Sequence, residues 1–130
     1  MTPDEKKQVV RDIVAAIDAH DLETLRVHPG LYETVRHMPH LWASITNLRS
    51  VIDQITVEGD MVATVVTVTG THSGSFIGET PTGGEISFIV LGMDRVEDGK
   101  ITLHYATPDL LPFVMMGIGA GQPAMARITS

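Results

Sequence analysis

Two side chains able to move protons close the last strand-like run of this chain: His104 within Ile101–Thr107, and Asp109 just beyond Pro108. Histidine is a natural proton shuttle near neutral pH. A carboxylate set between Pro108, Leu110 and Leu111 has its charged form disfavoured, which suits a proton-transfer role. The bland alternatives are a structural histidine and an N-cap for a helix over 110–118. Strand alternation puts His104 and Tyr105 on opposite faces, so one of the two faces the interior. His72 ends the alternating series Val62, Thr64, Val66, Val68, Gly70. If that face is inward, His72 reaches the rim of a cavity and contacts a ligand; otherwise it stabilises a bend. His28, His37 and His40 lie close in sequence, but a metal needs ligands that converge. His37 and His40 flank Pro39, and no HExxH spacing occurs, so no metal is expected. No phosphate-binding glycine loop and no Gly-x-Ser-x-Gly elbow is present, and no cofactor is expected.

The elements that must position these groups change period along the chain. Thr2 with Glu5 forms a capping box, Pro3 suits a first helical position, and Val9, Val10, Ile13, Val14 and Ile17 recur at helical spacing. A helix over about Pro3–Ala19 follows, then a short one capped by Asp21 and stopped at His28-Pro29-Gly30. Leu31, Tyr32, Val35 and Met38 predict a short helix broken by Pro39. Leu41, Trp42 and Ile45 predict another over His40–Leu48. Strands are expected from residue 49 onward, over Met61–Thr71, Glu85–Arg95 and Ile101–Thr107, with turns at Glu58-Gly59-Asp60 and Glu97-Asp98-Gly99-Lys100. Helices first and antiparallel strands after predict an α+β fold with helices on one face of a bent sheet. Phe88 and Val90 are expected to point inward as pocket lining. Trp42, Tyr32 and the Met115/Met116/Ile118 segment would line or close the pocket, with core packing or a dimer contact as the alternative for Trp42 and the methionines.

The 130 residues suggest one domain, able to bury roughly two-thirds of its unfolded surface, with a frayed tail over about 122–130. Nine Lys and Arg against sixteen Asp and Glu give a net charge of −7, which disfavours nucleic acid and anionic membranes as partners. No cysteine is present, which excludes disulfides and thiolate chemistry. The start of the chain lacks an apolar signal-peptide core, and no run approaches the ~18 apolar residues of a membrane span, so a cytoplasmic protein is expected.

The stretch from Gly70-Thr71-His72 through Gly74, Phe76 and Gly78 to Pro81-Thr82-Gly83 reads as a bent strand edge and a tight turn. It resembles the GTHxGxFxGxxPTG segment of the SnoaL-like polyketide cyclases, a branch of the nuclear transport factor 2-like superfamily. His20-Asp21-Leu22-Glu23 looks like that family's "NDLD", Val57–Ala63 like its "AEGDRVA", and Asp94–Ile101 like its "YRVRDGKI". His104-Tyr105 sits where "HW" is usual, and Asp109 falls at a family aspartate. The resemblance implies a cone, in which a curved antiparallel sheet wraps three helices around an apolar pocket. It also implies ring closure of a polyketide intermediate by intramolecular aldol condensation, without metal or cofactor, with an aspartate as acid/base. Relatives hydrolyse epoxides, isomerise steroids, assist hydroxylation or only bind. Two departures stand out: the family's acidic "DFVDH"-type stretch is here Val27–Tyr32 and looks shortened, and the aspartate often directly after "HW" is Ala106.

The expectation is therefore a cofactor-free cyclase of an apolar, oxygenated, polyketide-type intermediate, with Asp109 and His104 catalytic and His72, Trp42, Tyr32, Phe88, Val90, Tyr105 and Met115 binding substrate. The alternatives are a pocket that only templates the chain and a non-catalytic binder. Semi-apolar residues on both faces of the strands, Val65 against Val66 and Val68, point to a homodimer through the outer sheet face.

Overall fold

The computed structural model describes residues 1–116; Ile118 and the tail expected to fray lie outside the described residues. Helix α1 (Pro3–Asp18) starts at the predicted capping box. Thr2 Oγ1 accepts from the Glu5 amide at 3.1 Å, and the Glu5 carboxylate accepts from the Thr2 amide at 3.0 Å. The two bonds satisfy amides that a helix start otherwise leaves bare. Its buried stripe is Val10, Ile13 and Ala16. Helix α2 (Leu22–Arg26) is capped by Asp21, whose carboxylate accepts from the Thr24 amide at 3.1 Å. A 3-10 turn over Pro29–Leu31 leads into α3 (Tyr32–Ser44).

Helix α3 corrects the expected break at Pro39. The helix runs through that proline, whose ring is exposed, while Met38 and Trp42 bury the opposite face four residues apart. Proline removes one backbone hydrogen bond, and burial of the two large side chains offsets the loss. The predicted helix over His40–Leu48 is also cut short, because strand β1 (Ile45–Glu58) begins at Ile45. Its pairing slips between Thr46 and Arg49, with Asn47 at φ 54°. The bulge puts Ile45 and Leu48 on the same buried face at a spacing of three, which imitates a helical period.

Strands β2 (Met61–His72), β3 (Glu85–Glu97) and β4 (Lys100–Pro108) complete a four-stranded antiparallel sheet in the order β1-β2-β3-β4. A short helix α4 (Leu111–Met116) follows. The predicted α+β layout holds. A second slip between Ile52 and Gln54 bends β1 further, and Gly70 lets β2 pass close to it. A Cβ on Gly70 would meet Ile45 Cγ2 at 2.4 Å and the Thr46 carbonyl at 2.9 Å. The inner face carries two apolar clusters. One gathers Val10, Ile13, Leu25, Leu31, Trp42, Val62, Val96 and Ile101 beneath the helices. The other gathers Ile45, Leu48, Val66, Val68, Ile86, Phe88 and Phe113, and Ile17 and Leu41 pack against both. The Asp18 carboxylate ties α1 to β1 by accepting from the Ser50 amide and hydroxyl, each at 2.8 Å. Among the described residues no helix is long and apolar enough to cross a membrane.

Candidate functional site

Strand register sets the polar centre of the inner face. Val62 pairs with Asp94, and Asp94 with His104. Directly opposite residues project to the same side, so all three share the face that carries buried Val62. This resolves the choice left open by alternation: His104 points inward, and Tyr105, 61% exposed, lies on the outer face. Tyr105 is thereby removed from the interior lining expected of it.

Asp94 is only 4% exposed, and its Oδ1 contacts His104 Nδ1. A buried carboxylate requires such a partner, since desolvation penalises its charge. The imidazole donates its Nδ1 hydrogen to the carboxylate, which leaves Nε2 as the basic nitrogen of the neutral ring. Nε2 makes no hydrogen bond to the described residues. A histidine oriented through Nδ1 by a carboxylate is the arrangement that prepares Nε2 to take a proton and then stabilises the imidazolium formed.

His28 borders this pair. Its Nδ1 accepts from the Ile101 amide at 2.9 Å on the open edge of β4, and Gly30 lets the 3-10 turn lie against that strand. A Cβ on Gly30 would stand 2.6 Å from the Leu103 nitrogen. Burial first, and the Lys100 charge next, push the His28 pKa down against an opposing pull from Asp94. His28 is a neutral acceptor at pH 7.

Away from the dyad the inner face forms an open floor. The next row is Thr64, Gly92 and Ala106, and the one after is Val66, Val90 and Pro108. Ala106 and Pro108 are exposed and Val90 is half-buried, on a face that the helices cover elsewhere. A Cβ on Gly92 would meet Thr64 Oγ1 at 2.6 Å, so any larger residue would push the Thr64 side chain aside. Gly92 and Ala106 put little side-chain bulk on the inner face between the dyad and the aromatic end of the sheet. Phe88 lies in that aromatic end, stacked on Phe76 at 5.6 Å and edge-on to Phe113 at 6.1 Å.

His72 is fully buried beside this group, its ring edge-on to Phe76 at 6.4 Å. Its Nδ1 accepts from the Thr82 amide at 3.2 Å, so the ring hydrogen sits on Nε2. That N–H is buried without a hydrogen-bond partner, a condition that costs about 1–3 kcal/mol.

The other expected residues are dispersed. Asp109 is exposed, not set among apolar walls, and its carboxylate accepts from the Leu111 amide at 3.3 Å. It follows Pro108, which lies four β4 residues from His104, about 13 Å at strand rise; the two do not form a pair. Trp42 belongs to the core: its Nε1 donates to the Ile17 carbonyl at 3.0 Å and its ring stacks on His20 at 4.3 Å. Tyr32 and Met115 are both exposed. Phe88 is buried as expected. From sequence, Asp94 is visible only as the start of a turn motif, His28 only in a helix stop and as a metal ligand that is set aside, and Thr64 only as one of the alternating series before His72. The available signal was the series Ile86, Phe88, Val90, Gly92, Asp94, Val96, an inward alternation that carries one carboxylate. Among the described residues no cluster of His, Asp and Glu could hold a metal ion.

The fold recurs in known proteins that share about a fifth to a quarter or slightly more of the sequence. AclR from Streptomyces galilaeus, named as a candidate hydroxylase, is 28% identical over 88% of this chain and 96% of its own, with a TM-score of 0.78. IdmH from Streptomyces antibioticus, named as a candidate polyketide cyclase, is 25% identical over 91% of this chain and 98% of its own, with a TM-score of 0.70. TsrD from Streptomyces laurentii shares the fold at 21% identity and a TM-score of 0.79, covering 92% of this chain and 98% of its own. No curated protein matches the chain significantly. The family model of the SnoaL-like polyketide cyclases matches residues 4–115, which takes in every element from α1 to β4. The chain belongs to the SnoaL-like polyketide cyclase family and has its nuclear transport factor 2-like α+β fold.

Proposed function

We propose that this protein closes a ring in a polyketide-type intermediate, with His104 as the base and Asp94 as the residue that orients it. The observation that carries this reading is the contact of buried Asp94 with half-buried His104 on the inner face, beside a floor of small and apolar residues that we read as a substrate trough. His104 Nε2 removes a proton from a carbon between two carbonyls. The enolate attacks a second carbonyl of the same chain, a carbon–carbon bond forms, and the resulting alkoxide takes the proton back from His104. Asp94 stabilises the imidazolium between the two transfers. The floor of Gly92, Ala106 and Val90 lets the chain fold so that its reacting carbons meet, which supplies much of the acceleration. The substrate is apolar and oxygenated, in keeping with a trough that has few polar groups.

His104→Asn tests the assignment. Asparagine keeps a donor to Asp94 but deletes the basic nitrogen. Ring closure of linear poly-β-ketone esters, followed by absorbance of the aromatic product, falls about 10²–10⁴-fold if His104 is the base. Unchanged turnover in His104→Asn favours a templating pocket, and an equal loss in Asp109→Asn moves the base to Asp109. Tight binding with no turnover by the native protein favours a non-catalytic binder. We also propose that two copies pair through the outer sheet face, where Val51, Leu91, Met93 and Tyr105 are exposed.

A further inference from the structure

We infer that Phe76 is a displaceable plug over a second recognition point, in which the His72 N–H and the Phe88 ring hold an oxygenated aromatic ring of the substrate. The inference deepens the proposed function, since it names what the end of the trough remote from the dyad binds. Its ground is the buried His72 Nε2, a donor without an acceptor. His72 donates nothing to the fold through that nitrogen, while its Nδ1 and backbone hold the loop after β2. The His72 amide donates to the Gly84 carbonyl and the Gly83 amide to the His72 carbonyl, each at 2.9 Å.

The loop is tied at both ends and free between. At its start, the Ser73 and Gly74 amides donate to the Ser44 carbonyl at 2.9 and 3.0 Å, and the Ser44 hydroxyl donates to the Ser75 carbonyl at 2.7 Å. At its end, Thr82 is held by His72. Between these ties Phe76 and Glu79 exchange two backbone hydrogen bonds across Ile77 and Gly78, both at positive φ, in a tight turn. Among the described residues this turn makes no hydrogen bond to the body of the protein. The Phe76 side chain is held by apolar packing: it lies against the second apolar cluster, stacked on Phe88 at 5.6 Å and 26° and edge-on to Phe113 and His72, each at 6.4 Å. The other three rings belong to β2, β3 and α4. Phe76 alone can leave while the rest stay in place.

A flat ligand ring can take the same stack on Phe88. If it carries a phenol or quinone oxygen it also accepts from His72 Nε2, which phenylalanine cannot do. The exchange therefore favours an oxygenated aromatic ring over a hydrocarbon of the same shape. Phe88 and Asp94 are six β3 residues apart, about 20 Å. A substrate would be gripped at a ring already formed while the dyad acts on its other end.

Calorimetric titration with 1-naphthol and 1-methylnaphthalene tests this without any turnover. The native protein is expected to prefer 1-naphthol by about tenfold or more. His72→Asn, which keeps an acceptor for the Thr82 amide, should lose that preference while still binding the hydrocarbon. Phe76→Ala should bind both probes several-fold more tightly. Equal affinities in the native protein, a preference that survives in His72→Asn, or weaker binding by Phe76→Ala would each overturn the inference. Should His72→Asn fail to fold, the His72 Nε2–H resonance of the native protein decides: it shifts with 1-naphthol and not with 1-methylnaphthalene, and absence of a shift overturns the plug. A negative result here beside a large loss of turnover in His104→Asn removes the subsite and leaves the cyclase reading standing.

Discussion

His104 and His28 lie on one polar patch yet are prepared for opposite tasks by what their Nδ1 atoms meet. His104 Nδ1 meets a carboxylate, which makes a hydrogen-bond donor of it and a base of Nε2. His28 Nδ1 meets a backbone amide, which requires it to stay unprotonated. Its pKa in the folded protein therefore lies below the ordinary value of about 6.5. The unfolded chain takes up this proton first as the pH falls, so the stabilisation is complete above about pH 6.5 and is lost progressively below it. The melting temperature should drop between pH 7.5 and 5, and drop less in His28→Asn, whose side-chain oxygen can still accept from the Ile101 amide. An equally steep profile in that variant would mean that other groups set the acid sensitivity. His104 was recognisable as a candidate in the sequence because its residue type and strand position both advertise chemistry. Asp94 was not, because its role exists only through a cross-strand partner ten residues away. Sequence spacing does not display such a pairing until the hairpin register is known.

At the scale of elements, turns and caps were legible and the passage from helix to sheet was not. The Thr2–Glu5 box and the Asp21 cap act within a single turn of chain, so their residues dictate them locally. The α3–β1 junction is governed by tertiary burial. Pro39 argues for a break, but burial of Met38 and Trp42 holds the helix together across it. The bulge at Asn47 then disguises the first residues of a strand as another helical turn. Pro39→Ala should restore the missing backbone hydrogen bond. Proline's interior cost of about 3 kcal/mol, less roughly 1 kcal/mol for the looser unfolded chain, gives an expected gain of about 1–2 kcal/mol in urea unfolding. A loss instead would show that the proline sets the helix path that seats Trp42 against the Ile17 carbonyl.

For the whole molecule, the outer sheet face is where a second copy would sit. Val51, Leu91, Met93 and Tyr105 expose apolar surface across three strands, on the side away from the helices. Light scattering should give twice the 14.1 kDa chain mass for the native protein and a single chain mass for Leu91→Glu. A native mass of one chain would remove the dimer. The side chains that fasten the helices to the sheet have a consequence for how such copies can meet. The Asp18 carboxylate takes the Ser50 amide on the free edge of β1, and His28 takes the Ile101 amide on the free edge of β4. Each outermost strand thus has a backbone donor already occupied by the helical layer. Bare strand edges are templates for runaway β-aggregation, and these are blunted at both margins. A pair of copies would then meet face to face rather than edge to edge. One of the two guards is a histidine that accepts only while neutral, so acid weakens the tie that covers the β4 margin.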